Sequence, residues 1–112
     1  MADCIFCQIG SGKIPAEVVF QDETVMVFKD IHPKAPVHVL IIPKKHISSA
    51  ADVTKEELPI FAHMLEAANI AAKKEGIPSA YKLVINTGAS AGQVVMHLHM
   101  HLLGGKKITS IV

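Results

Sequence analysis

The chain has 112 residues, enough for one domain and too few for two; half are apolar and 19% are charged, which supplies a core and argues against disorder. Eleven basic against ten acidic residues leave a formal charge of +1, and aromatics are only 4% with no Trp, so neither a broad basic nucleic-acid surface nor a base-stacking platform is available. No apolar run approaches the roughly 18 residues that span a bilayer, and residues 1–4 show no basic-then-apolar leader, so a cytoplasmic protein without a membrane partner is expected.

In chain order, Asp3 is placed to cap a short helix from about Cys4 to Ile9, which Gly10-Ser11-Gly12 would end. Ile14-Pro15 leads into a predicted strand from Val18 to Gln21. The Asp22-Glu23 turn signal separates it from a second strand, Thr24 to Lys29. Between Pro36 and Pro43 the apolar run His38 to Ile42 reads as a buried strand. Leu58, Phe61, Met64, Leu65, Ala68, Ala71 and Ala72 recur at helical steps and predict one long helix over about 54–75. Thr54-Lys55-Glu56-Glu57 resembles a capping box, yet Pro59 fits poorly with so early a start, and Gly76 and Pro78 end the helix. A strand from Tyr81 to Asn86, a small-residue loop from Thr87 to Gly92 and a last strand from Val94 to Leu103 follow. With no repeat or linker, the expectation is a single α+β domain over 1–112, a five-stranded antiparallel sheet with one long and one short helix.

Seven histidines stand out, and three of them form His97-Leu98-His99-Met100-His101. In a strand, residues two apart share a face at about 6.6 Å, so the three imidazoles are expected on one side and Leu98, Met100 and Leu102 on the other. Chance placement of such an alternation in this composition occurs in roughly one chain in forty. A packed core is a poor explanation, because three imidazoles on one face would each need a partner. Two chemical readings remain. Imidazole ligates zinc, copper and nickel. Imidazole is also a nucleophile when neutral and a donor to phosphate oxygens. The neighbouring Gly88–Gly92 loop favours phosphate, since small residues permit close backbone approach. His38, heading the central strand, is placed to reach the same face.

The stretch Asn86-Thr87-Gly88, Gly92-Gln93-Val94-Val95-Met96-His97-Leu98-His99-Met100-His101-Leu102-Leu103-Gly104-Gly105 resembles the histidine triad (HIT) signature. Cys4-Ile5-Phe6-Cys7, Ile14-Pro15-Ala16, Phe28-Lys29-Asp30-Ile31, Ala35-Pro36-Val37-His38 and Ile42-Pro43-Lys44-Lys45-His46-Ile47 resemble its nucleotide-binding, Hint-like branch, in the right order from about residue 3 to 107. The resemblance implies a homodimeric hydrolase of purine nucleoside phosphoramidates and related nucleotidyl conjugates that releases a nucleoside monophosphate. In that reading His99 is the nucleophile that transiently carries the nucleotidyl group, and His101 binds phosphate and assists the leaving group. His97 and His38 support the site. Asn86, Gly92, Gln93 and Val94 lie at the phosphate, Asp30 accepts from the ribose hydroxyls, and Ile5, Phe6, Ile9, Phe28, Ile31 and Leu40 form the purine slot. The dimer would use the long helix and the Asn86-bearing strand. His63 is expected to be solvated or on the dimer face, and His32 has no assignment.

Val94 stands where this branch usually carries serine, which removes a hydroxyl from the phosphate end and is expected to lower turnover on amine-leaving substrates. This leaves a non-catalytic nucleotide-binding module and a metal-dependent protein using His97, His99 and His101 as ligands as rivals. The tail from Lys106 to Val112 lacks an aromatic residue, although the tail helps choose the leaving group in relatives. The pair Cys4 and Cys7 reads as half of a zinc site, as buried thiols or as a redox pair, and the last is disfavoured because no thioredoxin-like unit is visible. The resemblance supplies His46 and His97 as the other ligands of a structural, non-catalytic zinc.

Overall fold

The computed structural model describes residues 4–107. Its strands are β1 (Val18–Gln21), β2 (Val25–Lys29), β3 (Val37–Pro43), β4 (Tyr81–Val84) and β5 (Met100–Gly104), ordered β1-β2-β3-β5-β4 in one sheet with every pairing antiparallel. One short helix, α1 (Ile5–Gly10), and one long helix, α2 (Leu58–Lys74), complete the expected α+β architecture.

Period-two alternation sorts the central strands into two cores. Val25, Val27, Val39, Ile41, Met100 and Leu102 face α2 and pack on Met64, Ala67, Ala68, Ala71 and Ala72. Met26, Phe28, Leu40 and Ile42 face the other way and pack on Phe6 and Ile9 of α1. Both faces are covered, which is why β3 is buried at all seven positions and reads as a continuous apolar run. The run of alanines on α2 brings the helix close to the sheet. Leu58 and Leu65, placed on the apolar face by periodicity, sit on its flank and remain about half exposed, at 55% and 47%.

The element ends differ from expectation for local reasons. Asp3 lies outside the described residues, and Cys4 takes the N-cap role, its Sγ accepting from the Cys7 N–H at 3.3 Å. Thr24 belongs to the turn, because the Asp22 carboxylate accepts from the N–H groups of Thr24 and Val25 at 2.8 and 2.9 Å. The conflict between capping box and proline resolves by division. Thr54 and Glu57 box a 3₁₀ turn over Lys55–Glu57, and α2 begins at Leu58 with Pro59 in its first turn. β4 ends at Val84 rather than Asn86.

The largest departure is in the last strand. It runs from Met100 to Gly104, not from Val94, and the segment before it is held by other bonds. Gln93 is buried, its amide donating to the carbonyls of Ser48 and Val95, while the Leu98 N–H donates to Ile47. His97 and His99 therefore precede the ladder, and only His101 lies within it. Residues 108–112, which carry most of the tail discussed above, lie outside the described residues.

Candidate active site

On the α1 face of the sheet, β3 and β5 pair Leu40 with His101 and His38 with Leu103, which sets His38 and His101 side by side. Val84 pairs with His101, so continuing that antiparallel register brings Asn86 level with His99. A cavity of about 660 Å³ opens over this face. Its apolar end is formed by Ile5, Phe6, Ile9, Phe28, Ile31 and Leu40. Its polar end carries Asn86, Gly92, Val94, His99 and His101, with Asp30 on the wall. The structure thus gathers twelve of the candidate residues around one cavity. Gly92 has φ +96°, and a Cβ there would lie 3.8 Å from the Asn86 amide carbon, so a glycine suits both the left-handed turn and the close approach.

Three candidates lie elsewhere. Gln93 does not line the cavity; its Oε1 accepts from the Gly88 N–H at 2.8 Å and its amide is used as described, so it shapes the loop rather than offering a side chain to a ligand. His38 sits behind His101, buried. His97 is fully buried beneath α1, on the same side of the sheet as its two partners but outside the cavity. The three imidazoles do share the α1 face, where Phe6 meets the rings of both His97 and His99, while Leu98, Met100 and Leu102 pack in the core under α2. What fails is the idea of the three as ligands of one metal, because the His97 ring nitrogens face the Cys4 thiol and the Pro43 carbonyl. His97 reaches the site through its main chain: its carbonyl accepts from His99 Nδ1 at 2.7 Å.

The hydrogen bonds assign the imidazole tautomers. A backbone N–H can only donate and a carbonyl only accept. The Lys34 N–H donates to His38 Nδ1 at 3.1 Å, so the His38 proton is on Nε2, which donates to His101 Nδ1 at 3.0 Å. That leaves the His101 proton on Nε2. His99 donates its Nδ1–H to the His97 carbonyl, which makes Nε2 the nitrogen that carries the lone pair in the neutral ring. Burial, then the neighbouring His99 and His38, hold His101 down to about 4. Burial likewise lowers His38, although Asp30 opposes it. Both rings are neutral at pH 7, so the 3.4 Å contact of His38 Nε2 with Asp30 is a polar contact rather than an ion pair. Asp30 fulfils the ordinary turn role too, its Oδ1 accepting from the His32 N–H at 2.8 Å.

Sequence reasoning missed the loop Ile14-Pro15-Ala16, Val95, and the cationic Lys34 on the cavity wall. Ile14, Ala16 and Val95 pack against the α1-side core; they lie in stretches that carry the family resemblance, but neither that nor their apolar character in a loop marked them as cavity lining. His63, expected to be solvated or on the dimer face, is partly exposed and also donates to the Asp22 carboxylate at 2.9 Å, which ties α2 to the β1–β2 turn.

Beneath the cavity, the ligand-type atoms of Cys4, Cys7, His46 and His97 all lie within 4.8 Å of one another. The Sγ to Nδ1 distances are 3.3 Å for Cys4–His97, 3.4 Å for Cys7–His46 and 3.5 Å for Cys7–His97. A tetrahedral zinc with bonds of about 2.3 Å to sulfur and 2.0–2.1 Å to nitrogen has S···N edges of about 3.6 Å, which these distances approach. His97 Nε2 donates to the Pro43 carbonyl at 2.8 Å, which leaves Nδ1 free as the metal-facing lone pair. The donor set and its geometry fit a closed structural zinc.

The family model described as scavenger mRNA decapping enzyme C-terminal binding matches residues 3–110. A HIT family hydrolase of Legionella pneumophila superimposes with a TM-score of 0.92 at 46% identity, covering 96% of each chain. A HIT family hydrolase of Clostridium thermocellum gives 0.96 at 41% identity, covering 100% of this chain and 99% of that one. A 14 kDa zinc-binding protein of Zea mays is 42% identical over 106 residues, 93% of this chain and 83% of its own length. The chain belongs to the histidine triad superfamily, in company with proteins named as hydrolases.

Proposed function

We propose that this protein is a nucleotide hydrolase of the Hint type, cleaving purine nucleoside phosphoramidates or related nucleotidyl conjugates at the α-phosphorus. The reading is supported above all by the relay Lys34 N–H to His38 to His101, beside a His99 whose Nε2 lone pair is free. His99 Nε2 attacks phosphorus, forming an N–P bond as the bond to the leaving group breaks and its electron pair departs. The Nε2–H of His101 donates to a phosphate oxygen or passes its proton to the leaving atom, the amine nitrogen of a phosphoramidate. Water then attacks the nucleotidyl-histidine, giving its proton to His101 Nε2; the N–P bond breaks with its electron pair returning to His99 Nε2, and a nucleoside monophosphate leaves. The apolar end of the cavity suits a purine, and Asp30 Oδ2 is disposed to accept from ribose hydroxyls. The four donors Cys4, Cys7, His46 and His97 would hold zinc, which when bound clamps α1 to the sheet. The chain is read as one domain acting as a cytoplasmic homodimer. The half-buried edge strand β4 and the exposed Leu65 and Met96 suit a partner copy.

The test is hydrolysis of adenosine 5′-phosphoramidate in the presence of chelator. His99→Gly and His99→Asn are each expected to lower kcat by at least about 10³-fold, as loss of a covalent nucleophile does; unchanged turnover in either removes the mechanism. A second reading, nucleotide binding without turnover, is favoured by one observation. Val94 stands 88% exposed at the phosphate end and offers no hydroxyl.

A further inference from the structure

Two structures in this protein share parts. α1 carries Cys7, and Cys4 as its cap, toward the thiol–imidazole cluster, while Ile5, Phe6 and Ile9 of the same six-residue helix line the cavity. The Phe6 ring stands edge-on to His97 at 5.9 Å and to His99 at 5.1 Å. His97 spans both: its ring lies in the cluster and its carbonyl holds the His99 tautomer. A helix this short is not stable alone and takes its position from what it is tied to.

We propose that the Cys4–Cys7–His46–His97 centre and the nucleotide cavity are coupled, so that metal in the centre positions α1 and the His97 carbonyl and thereby sets affinity for a purine nucleotide. Cys4, Cys7, His46 and the His97 ring are positioning residues for His99. The coupling rests on the nucleotide reading above. Its physical content is that metal adds four bonds that tie α1 to the His97 segment, two pieces that meet in the free protein through thiol–imidazole hydrogen bonds and the Phe6 ring contact. Linkage makes it reciprocal: nucleotide must strengthen metal binding by the factor by which metal strengthens nucleotide binding.

The test uses zinc and AMP. Calorimetry measures AMP affinity for zinc-loaded and zinc-free protein, and a competing chromophoric chelator measures zinc affinity with and without saturating AMP. The loaded protein is expected to bind AMP about tenfold more tightly, the low end of what loss of an outer-shell contact costs, and AMP is expected to raise zinc affinity by the same factor. His46→Gln removes a ligand that lies outside both α1 and the His97–His99 segment; it is expected to reproduce the zinc-free AMP affinity while circular dichroism shows a folded chain. Should zinc-free protein unfold, zinc release from loaded protein into chelator carries the test, and AMP is expected to slow it about tenfold. Equal AMP affinity with and without zinc, or release indifferent to AMP, overturns the coupling and leaves the nucleotide reading intact. Failure to bind zinc overturns the coupling alone, and failure of AMP to bind in any state overturns both.

Discussion

His99 and His101 differ in chemistry because their Nδ1 atoms meet different partners. One Nδ1 faces a carbonyl and must carry the proton; the other faces His38 Nε2–H and must not. The same residue type thereby presents a lone pair at Nε2 in one place and an N–H at Nε2 in the other, which is what the proposed division into nucleophile and donor requires. Val94 tests how much of the leaving-group step rests on a side chain at the phosphate end. Val94→Ser is expected to raise kcat on amine-leaving substrates about tenfold, a modest share of the 10²–10⁴ that a placed proton donor supplies. Because Val94 is 88% exposed, its stability is expected to change by no more than about 0.5 kcal/mol in a urea melt. Unchanged kcat would mean that His101 alone serves the leaving group. The types of these residues were legible in the sequence, and the resemblance placed the His97 ring with Cys4, Cys7 and His46, but the role of Gln93 was not legible. It depends on which way a side chain turns in an irregular segment, where no periodicity guides the reading.

Among the elements, α2 follows its sequence signals closely at the start and less so on its flanks. Its packing rests on small residues, with Met64 the one large side chain it buries completely. Met64→Ala is expected to cost about 2–5 kcal/mol, because alanines on either side leave nothing to fill the cavity; a denaturant midpoint with unchanged slope reads it. A loss below about 1 kcal/mol would show that the helix settles onto the sheet. Leu58 and Leu65 carry the same helical period as Met64 and yet stay exposed. Periodicity names a face, and the sheet's position decides how wide a part of it is covered.

At the scale of the whole molecule, the sheet divides two functions: α2 covers one face for stability, and α1 with the cavity occupies the other. No helix among the described residues is long and apolar enough to cross a membrane. The buried imidazoles give the fold a dependence on pH with a definite sign. His38 and His101 are held below the ordinary imidazole value, chiefly by burial, His101 to about 4. The unfolded chain takes up these protons near pH 6.5 while the folded chain resists them. Their contribution is present in full above about pH 6.5 and drains away as pH falls toward 4. Urea midpoints measured from pH 7.5 to 4 are expected to fall through that window, and His101→Asn is expected to flatten the fall. A midpoint insensitive to pH in the unmodified protein would contradict the burial of these rings.

Composition and pattern alone determined the α+β class, the strand count, the two helices and the set of residues available for chemistry, because alternation, helical period and turn residues are local consequences of backbone geometry. Only the folded chain decided that the His97 ring lies outside the cavity, that His38 hydrogen-bonds to His101, and that Cys4, Cys7, His46 and His97 converge from segments more than 30 residues apart. Those outcomes depend on strand register and on which carbonyl each ring meets, and such distances are set between elements rather than along them.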